Sequence, residues 1–247
     1  MTRVVLRILT TTALVAAPLA SASAQTFVTN GMPTMFSGTG LGAVATVLTL
    51  QGQGNNTIEV GCVGRGAGGD FVGPNGTGTC MAGPETDVND GASQTQLLSA
   101  LGITSTSQLG ILFNASEPPG GGENGITLQS LTATFFSPTG ALVGTPILLT
   151  SSFTTANTLT GAGNSGFLFT VSGPAFALPE GTRIGLSATV GCTTPTANCL
   201  AATGGQETFF VVNAAGGTVI PEPSTYMLLG TGLAALGMVA RRRRTNA

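Results

Sequence analysis

Between residues 25 and 220 apolar and polar positions alternate with the two-residue period of β-strands. Ile58, Val60 and Cys62 fall on one side of a run, with Thr57 and Glu59 on the other. Phe167, Phe169 and Val171 repeat the pattern, as do Ile184, Leu186, Ala188 and Val190. Val44 to Leu50 and Ala141 to Leu149 read as strands, the second interrupted by Pro146. Thr208 to Val212 reads as a strand with both faces covered. From Ile126 and Leu128 the apolar positions jump to Leu131, Ala133 and Phe135, and this change of parity at Gln129-Ser130 predicts a β-bulge. One stretch has a different period. Gln94, Leu97, Leu98 and Leu101 stand at i, i+3, i+4 and i+7, which predicts a short helix capped by Asp90 or Ser93 and ended at Gly102.

Short strands separated by Gly, Asn and Pro turns point to an all-β body, an Ig-like or jelly-roll-like β-sandwich with that one short helix. Pro118 to Gly122 reads as a turn or hinge inside a single domain. Three segments follow: a signal peptide over 1–24, the β-sandwich ectodomain over 25–217, and an anchor over 218–247.

The two ends differ from the body. Arg3 and Arg7 precede an apolar stretch from Ile8 to Ala20, and Ala22-Ser23-Ala24 supplies the small residues that signal peptidase requires, so cleavage is expected between Ala24 and Gln25. At the other end Pro221-Glu222-Pro223 precedes an apolar run over 224–240, at the low end of the length that spans a bilayer, and Arg241, Arg242, Arg243 and Arg244 follow it. The arginines should remain cytoplasmic, which leaves the body outside. Six of the eight arginines thus belong to the ends, and the body carries two cations, Arg65 and Arg183, against nine acids. An acidic body is unsuited to neutralising nucleic-acid phosphates.

The order Pro-Glu-Pro, short hydrophobic helix, Arg cluster and minimal tail over Val219 to Arg244 resembles the PEP-CTERM sorting signal of bacterial exported proteins. The resemblance implies processing near Pro221-Glu222-Pro223 by an exosortase, a membrane-embedded cysteine protease/transpeptidase. It implies an inner-membrane-anchored precursor that then passes to the cell envelope, surface or extracellular matrix, and a link to exopolysaccharide and biofilm production. Pro221, Glu222, Pro223 and Arg241 to Arg244 are on that reading residues acted upon, as Ala22, Ala24 and Gln25 are for signal peptidase.

The body offers little chemistry of its own. The chain has no His and no Lys, which removes imidazole-based triads, Schiff-base lysines and His-containing zinc sites. Cys62, Cys80, Cys192 and Cys199 lie in an exported segment, where disulfides form. Local pairing, Cys62 with Cys80 and Cys192 with Cys199, is the simplest of three arrangements, and the spacings do not match a four-thiolate metal site. Gly64 to Gly69 matches GxGxxG but is followed by Gly73, Pro74 and Gly76 rather than a helix, so it reads as a flexible surface loop. Asp87-Val-Asn-Asp-Gly91 gathers oxygen ligands without the EF-hand order, and a turn at a helix start accounts for it better than calcium. No cofactor or metal is expected. The leading reading is a non-enzymatic exported envelope or matrix protein. The alternatives are a carbohydrate-binding or adhesive module, which lacks Trp for sugar stacking, and a glycoside hydrolase working through carboxylates alone.

Overall fold

A computed structural model describes residues 24–34, 45–52, 57–74, 80–81, 83, 87–115, 125–155, 166–202 and 205–215. The described residues are all-β. The strands are β1 (Thr26–Thr34), β2 (Ala45–Leu50), β3 (Ile58–Gly66), β4 (Gly69–Gly73), β5 (Gln96–Leu97), β6 (Leu109–Asn114), β7 (Ile126–Phe136), β8 (Ile147–Leu149), β9 (Phe153–Thr155), β10 (Gly166–Ser172), β11 (Arg183–Gly191) and β12 (Glu207–Asn213).

Hydrogen bonding runs through one mixed sheet in the order β2-β12-β6-β10-β1-β8-β7-β11-β3-β4, with β5 on β11 and β9 on β7. This corrects the expectation of two separate sheets. The cause is β8. Its three residues pair in parallel with β1, through Leu148 and Leu149, and antiparallel with β7, through Ile147 and Leu148. The two halves of the body are thereby hydrogen-bonded into one sheet. The sheet curls strongly, and its β2 edge returns against β3. Gly61 on β3 lies so close to Val88 and Leu50 that a Cβ there would collide with both side chains.

Inside the curl sit Phe27, Phe113, Phe135, Phe167, Phe169 and Phe209, all essentially without solvent contact. Phe113 of β6 stacks on Phe209 of β12 with ring centroids 4.9 Å apart, and Phe153 of β9 meets Phe169 edge-on at 5.5 Å. Such aromatic pairs add about 1 kcal/mol each to the burial itself. Ile184, Leu186, Ala188 and Val190 of β11 all face this core, as their alternation predicts. In β12 one face is buried and the other only half covered, short of the two-sided burial expected.

The bulge in β7 is where the parity change put it. Thr189 pairs with Ser130 and Val190 with Leu128, which leaves Gln129 as the extra residue. Its Nε2 donates to the Gly191 carbonyl. In β3 the expected apolar face is fully buried only at Cys62. Glu59 is buried and Ile58 and Val60 are half-exposed, because the curl brings the Gly52 N–H onto Glu59 Oε1. Of the strand expected over Ala141 to Leu149 only Ile147–Leu149 forms, with one isolated bridge between Leu142 and Phe136.

The predicted helix does not form. Asp90–Ala92 and Leu98–Leu101 are single 3-10 turns, separated by the extended β5. Asn89, not Asp90 or Ser93, precedes the first turn, and its side chain makes no cap. Extended backbone wins because it covers the exposed edge of β2. Asn89 N donates to Thr49 O, Gln94 N to Val47 O and Gln96 Nε2 to Thr46 O, which blocks the edge against further strand pairing. Gly102 does terminate the second turn, in the left-handed conformation that glycine adopts without strain. The Pro118 to Gly122 segment lies outside the described residues.

Candidate functional site

The residues expected to be acted upon lie at the two ends of the body. Ala22, Pro221, Glu222, Pro223 and Arg241 to Arg244 are outside the described residues, as are 224–240. Among the described residues no helix is long and apolar enough to cross a membrane. Ala24 and Gln25 are described: Ala24 is exposed and Gln25 is 5% exposed.

Strand pairing shows where the two ends emerge. Thr26 and Phe27 on β1 pair with Ser172 and Val171 on β10, Thr170 of β10 pairs with Gly110 on β6, and Gly110 and Leu109 pair with Val212 and Asn213 of β12. The first and last strands therefore meet the same cross-strand row, three strand spacings or about 14 Å apart. Both are tied to one turn. Thr106–Gln108 is a 3-10 turn opened by a capping box, in which Ser105 and Gln108 cap one another. Gln108 Oε1 accepts the Thr104 and Ser105 N–H groups. Gln25 Nε2 donates to Thr106 Oγ1 at 2.8 Å. Ala214 N donates to Gln108 O at 2.7 Å. Asn213 Nδ2 reaches the Leu101 and Gly102 carbonyls. Thr106 also accepts the Phe176 N–H, which fixes the following 172–177 turn against the clasp. The pairing of Ser105 with Gln108 just before the apolar run of β6 is the sequence signal that marks this turn, a signal that strand alternation does not contain.

The disulfides join Cys62 to Cys80 and Cys192 to Cys199, and no cysteine is free. The first bridges the middle of β3 to the chain beyond β4. The second closes the turn after β11, where Cys192 N donates to Thr57 O.

Gly64 to Gly69 is a β-hairpin turn rather than a flexible loop. It joins β3 to β4 with Arg65 opposite Asp70 and Gly66 opposite Gly69. Dinucleotide binding needs a helix N-terminus here, and a strand follows instead. The hairpin holds a small ionic network. Arg65 contacts Asp70 at 2.6 Å, Arg183 stands 3.9 Å from the same carboxylate, and Asp70 accepts the Thr95 N–H and hydroxyl. Arg183 Nε donates in turn to Thr95 Oγ1. Both body cations are thus engaged in joining β4, β11 and the chain before β5.

Three acids gather at the far end of the sheet. Glu207 pairs in register with Leu50, Glu59 accepts the Gly52 N–H, and Asp87 accepts the Val60 N–H through its side chain and the Gln51 N–H through its carbonyl. Asp87 therefore serves as a strand connector. Among the described residues no group of three or more His, Cys, Asp or Glu side chains is placed to hold a metal ion.

No curated protein and no solved structure matches the chain. Residues 219–244 match the family model described as the PEP-CTERM protein-sorting motif. The chain carries that motif at its C-terminus, and the motif implies an exported protein, sorted to the cell surface and processed by exosortase.

Proposed function

We propose that this is a non-enzymatic protein of the bacterial envelope or extracellular matrix, with a disulfide-braced β body delivered by its C-terminal signal. The observation that carries the reading is the match over 219–244. The sequence in that range runs from Pro221-Glu222-Pro223 through the 224–240 stretch to the arginines Arg241 to Arg244, the order a sorting signal needs. The body supports it through its two disulfides, which suit an oxidising compartment. On this reading signal peptidase cuts between Ala24 and Gln25, the 224–240 helix halts transfer, and the arginines fix its orientation. Exosortase then processes the chain near Pro221-Glu222-Pro223, and the body joins the envelope or an exopolysaccharide matrix.

Intact-mass measurement of the protein from a host that contains the exosortase tests this. The wild-type chain is expected to have lost both ends. Deleting Arg241 to Arg244, or replacing Pro221-Glu222-Pro223, should leave a membrane-bound precursor with its C-terminus intact. An unchanged mature mass in either variant would falsify sorting by this route.

A further inference from the structure

We propose that the end of the sheet from which both termini leave is the membrane-facing surface of the unprocessed precursor, seated against a phospholipid surface. This rests on reading 224–240 as a membrane span and adds which face of the body meets the lipid.

The first argument is reach. Ala215, the last described residue of the body, donates its N–H to Asn213 Oδ1 beside the Thr106–Gln108 clasp. Nine residue steps separate Ala215 from Ser224, which fully extended span at most about 30 Å. A nine-residue strand such as β11 is itself roughly 30 Å long. Turning the far end to the lipid would need the whole connection stretched along the body. Seating the near end needs no such extension. The signal peptide imposes the same choice, since β1 begins at Thr26, beside the cross-strand row of Phe27 and Asn213.

The second argument is charge. The β7, β11 and β3 half of the sheet runs in step with the clasp half, because Phe176 of the 172–177 turn packs edge-on against Phe135 near the end of β7. Arg183, paired with Phe136, and the β3–β4 hairpin with Arg65 and Asp70 therefore belong to the near end, as does Glu180. Among the described residues two cations balance two acids there. Glu59, Asp87 and Glu207, each engaged with neighbouring groups, mark the far end, and neither described arginine lies at that end. Anionic lipid repels such a group within a screening length of about 10 Å, whereas the neutral end approaches without that cost. The exposed residues around the clasp are small and uncharged: Ser99, Gly102, Thr104, Ser107, Ala175 and Ala177.

The full-length chain, reconstituted through its own span into vesicles of phosphatidylethanolamine and phosphatidylglycerol with a nitroxide-headgroup lipid, provides the test. A fluorescent residue is placed at Ala175, beside the clasp, or at Thr194, in the far-end disulfide loop; both are exposed. Headgroup quenching is expected to be several-fold stronger at position 175. Equal quenching at both positions, in chains that float with the vesicles, overturns the proposal alone. Chains that do not float overturn the span reading and the proposal with it. Quenching at position 175 that appears only when exosortase is co-reconstituted assigns the surface to that enzyme and overturns the lipid assignment.

Discussion

Replacing Thr106 with valine keeps the volume and branching of the clasp residue and removes only its hydroxyl. Thr106 is fully buried. Its oxygen accepts from Gln25 Nε2 at 2.8 Å and from Phe176 N at 3.1 Å. Valine strands both donors. A buried donor left without an acceptor costs about 1–3 kcal/mol. Gln25 is nearly as buried as Thr106, while the Phe176 N–H is only partly covered, so the two together should cost about 3 kcal/mol. For a body of this size that lowers Tm by roughly 6–12 °C. Urea unfolding of the mature chain with its disulfides intact is the assay, and the transition should shift with no change of slope. A reduced slope would mean that β1 separates before the rest. Ser107→Ala, one residue away and exposed, is the control, expected within about 0.5 kcal/mol of wild type. The Gln25→Ala single variant and the double variant complete a cycle whose coupling should be about 1 kcal/mol. If Thr106→Val is no more costly than Ser107→Ala, the clasp does not hold the ends, and the argument from the two termini fails with it.

The disulfides should differ in effect. Replacing Cys62 and Cys80 by serine removes a crosslink with sequence separation 18, worth about 3 kcal/mol on the loop-entropy relation, and replacing Cys192 and Cys199 removes one of separation 7, worth about 2.5 kcal/mol. Chemical denaturation of each pair variant measures this, and a larger loss from the shorter loop would contradict the entropic account. Gly61→Ala should destabilise by about 2 kcal/mol through overpacking against Val88 and Leu50. In that variant a Val88→Ala change should restore part of the loss; independent, additive costs in the double variant would refute the close approach of Val88 to Gly61.

What could be read from the chain was local. The bulge at Gln129, the stop at Gly102 and the cysteine pairs each depend on residues within one or two turns or strands of one another. What could not be read came from the curl. In β3 the alternation of Ile58, Val60 and Cys62 gives a clean apolar face, yet Glu59 is buried and Ile58 and Val60 are only half covered, because the chain just after β2, distant in the sheet order, supplies the Gly52 N–H that meets Glu59. The helical spacing of Gln94, Leu97, Leu98 and Leu101 is real. Their backbone nonetheless stays extended through Leu97 and then makes only a single 3-10 turn at Leu98–Leu101, since edge donors and carbonyls of β2 and β11 compete for it. Two sheets became one through the three residues of β8, too short a run to show a pairing partner. The sorting end is legible for the opposite reason: its elements follow one another directly, and the family match over 219–244 needs no tertiary information.

The sheet order also constrains when the body can fold during export. β1 leaves the membrane first, but its partners are β10 and β8, which come much later in the chain. β12 leaves last and is not an edge; it lies between β2 and β6 and supplies Phe209 to the stack on Phe113. No partial product lacking β12 can close the core, because β2 would have no neighbour in the sheet. Closure therefore waits for Asn213 to clear the membrane. From there eleven residue steps lead to Ser224, where on our reading the apolar run halts transfer. Covalent reach allows those steps about 36 Å, enough for β12 to be wholly outside when the span stops. Shortening this connection by five residues should leave the same stop but delay closure, so that the precursor stays open to added protease although every strand is present. Wild-type protease resistance in that shortened chain would show that closure does not depend on the distance between β12 and the span.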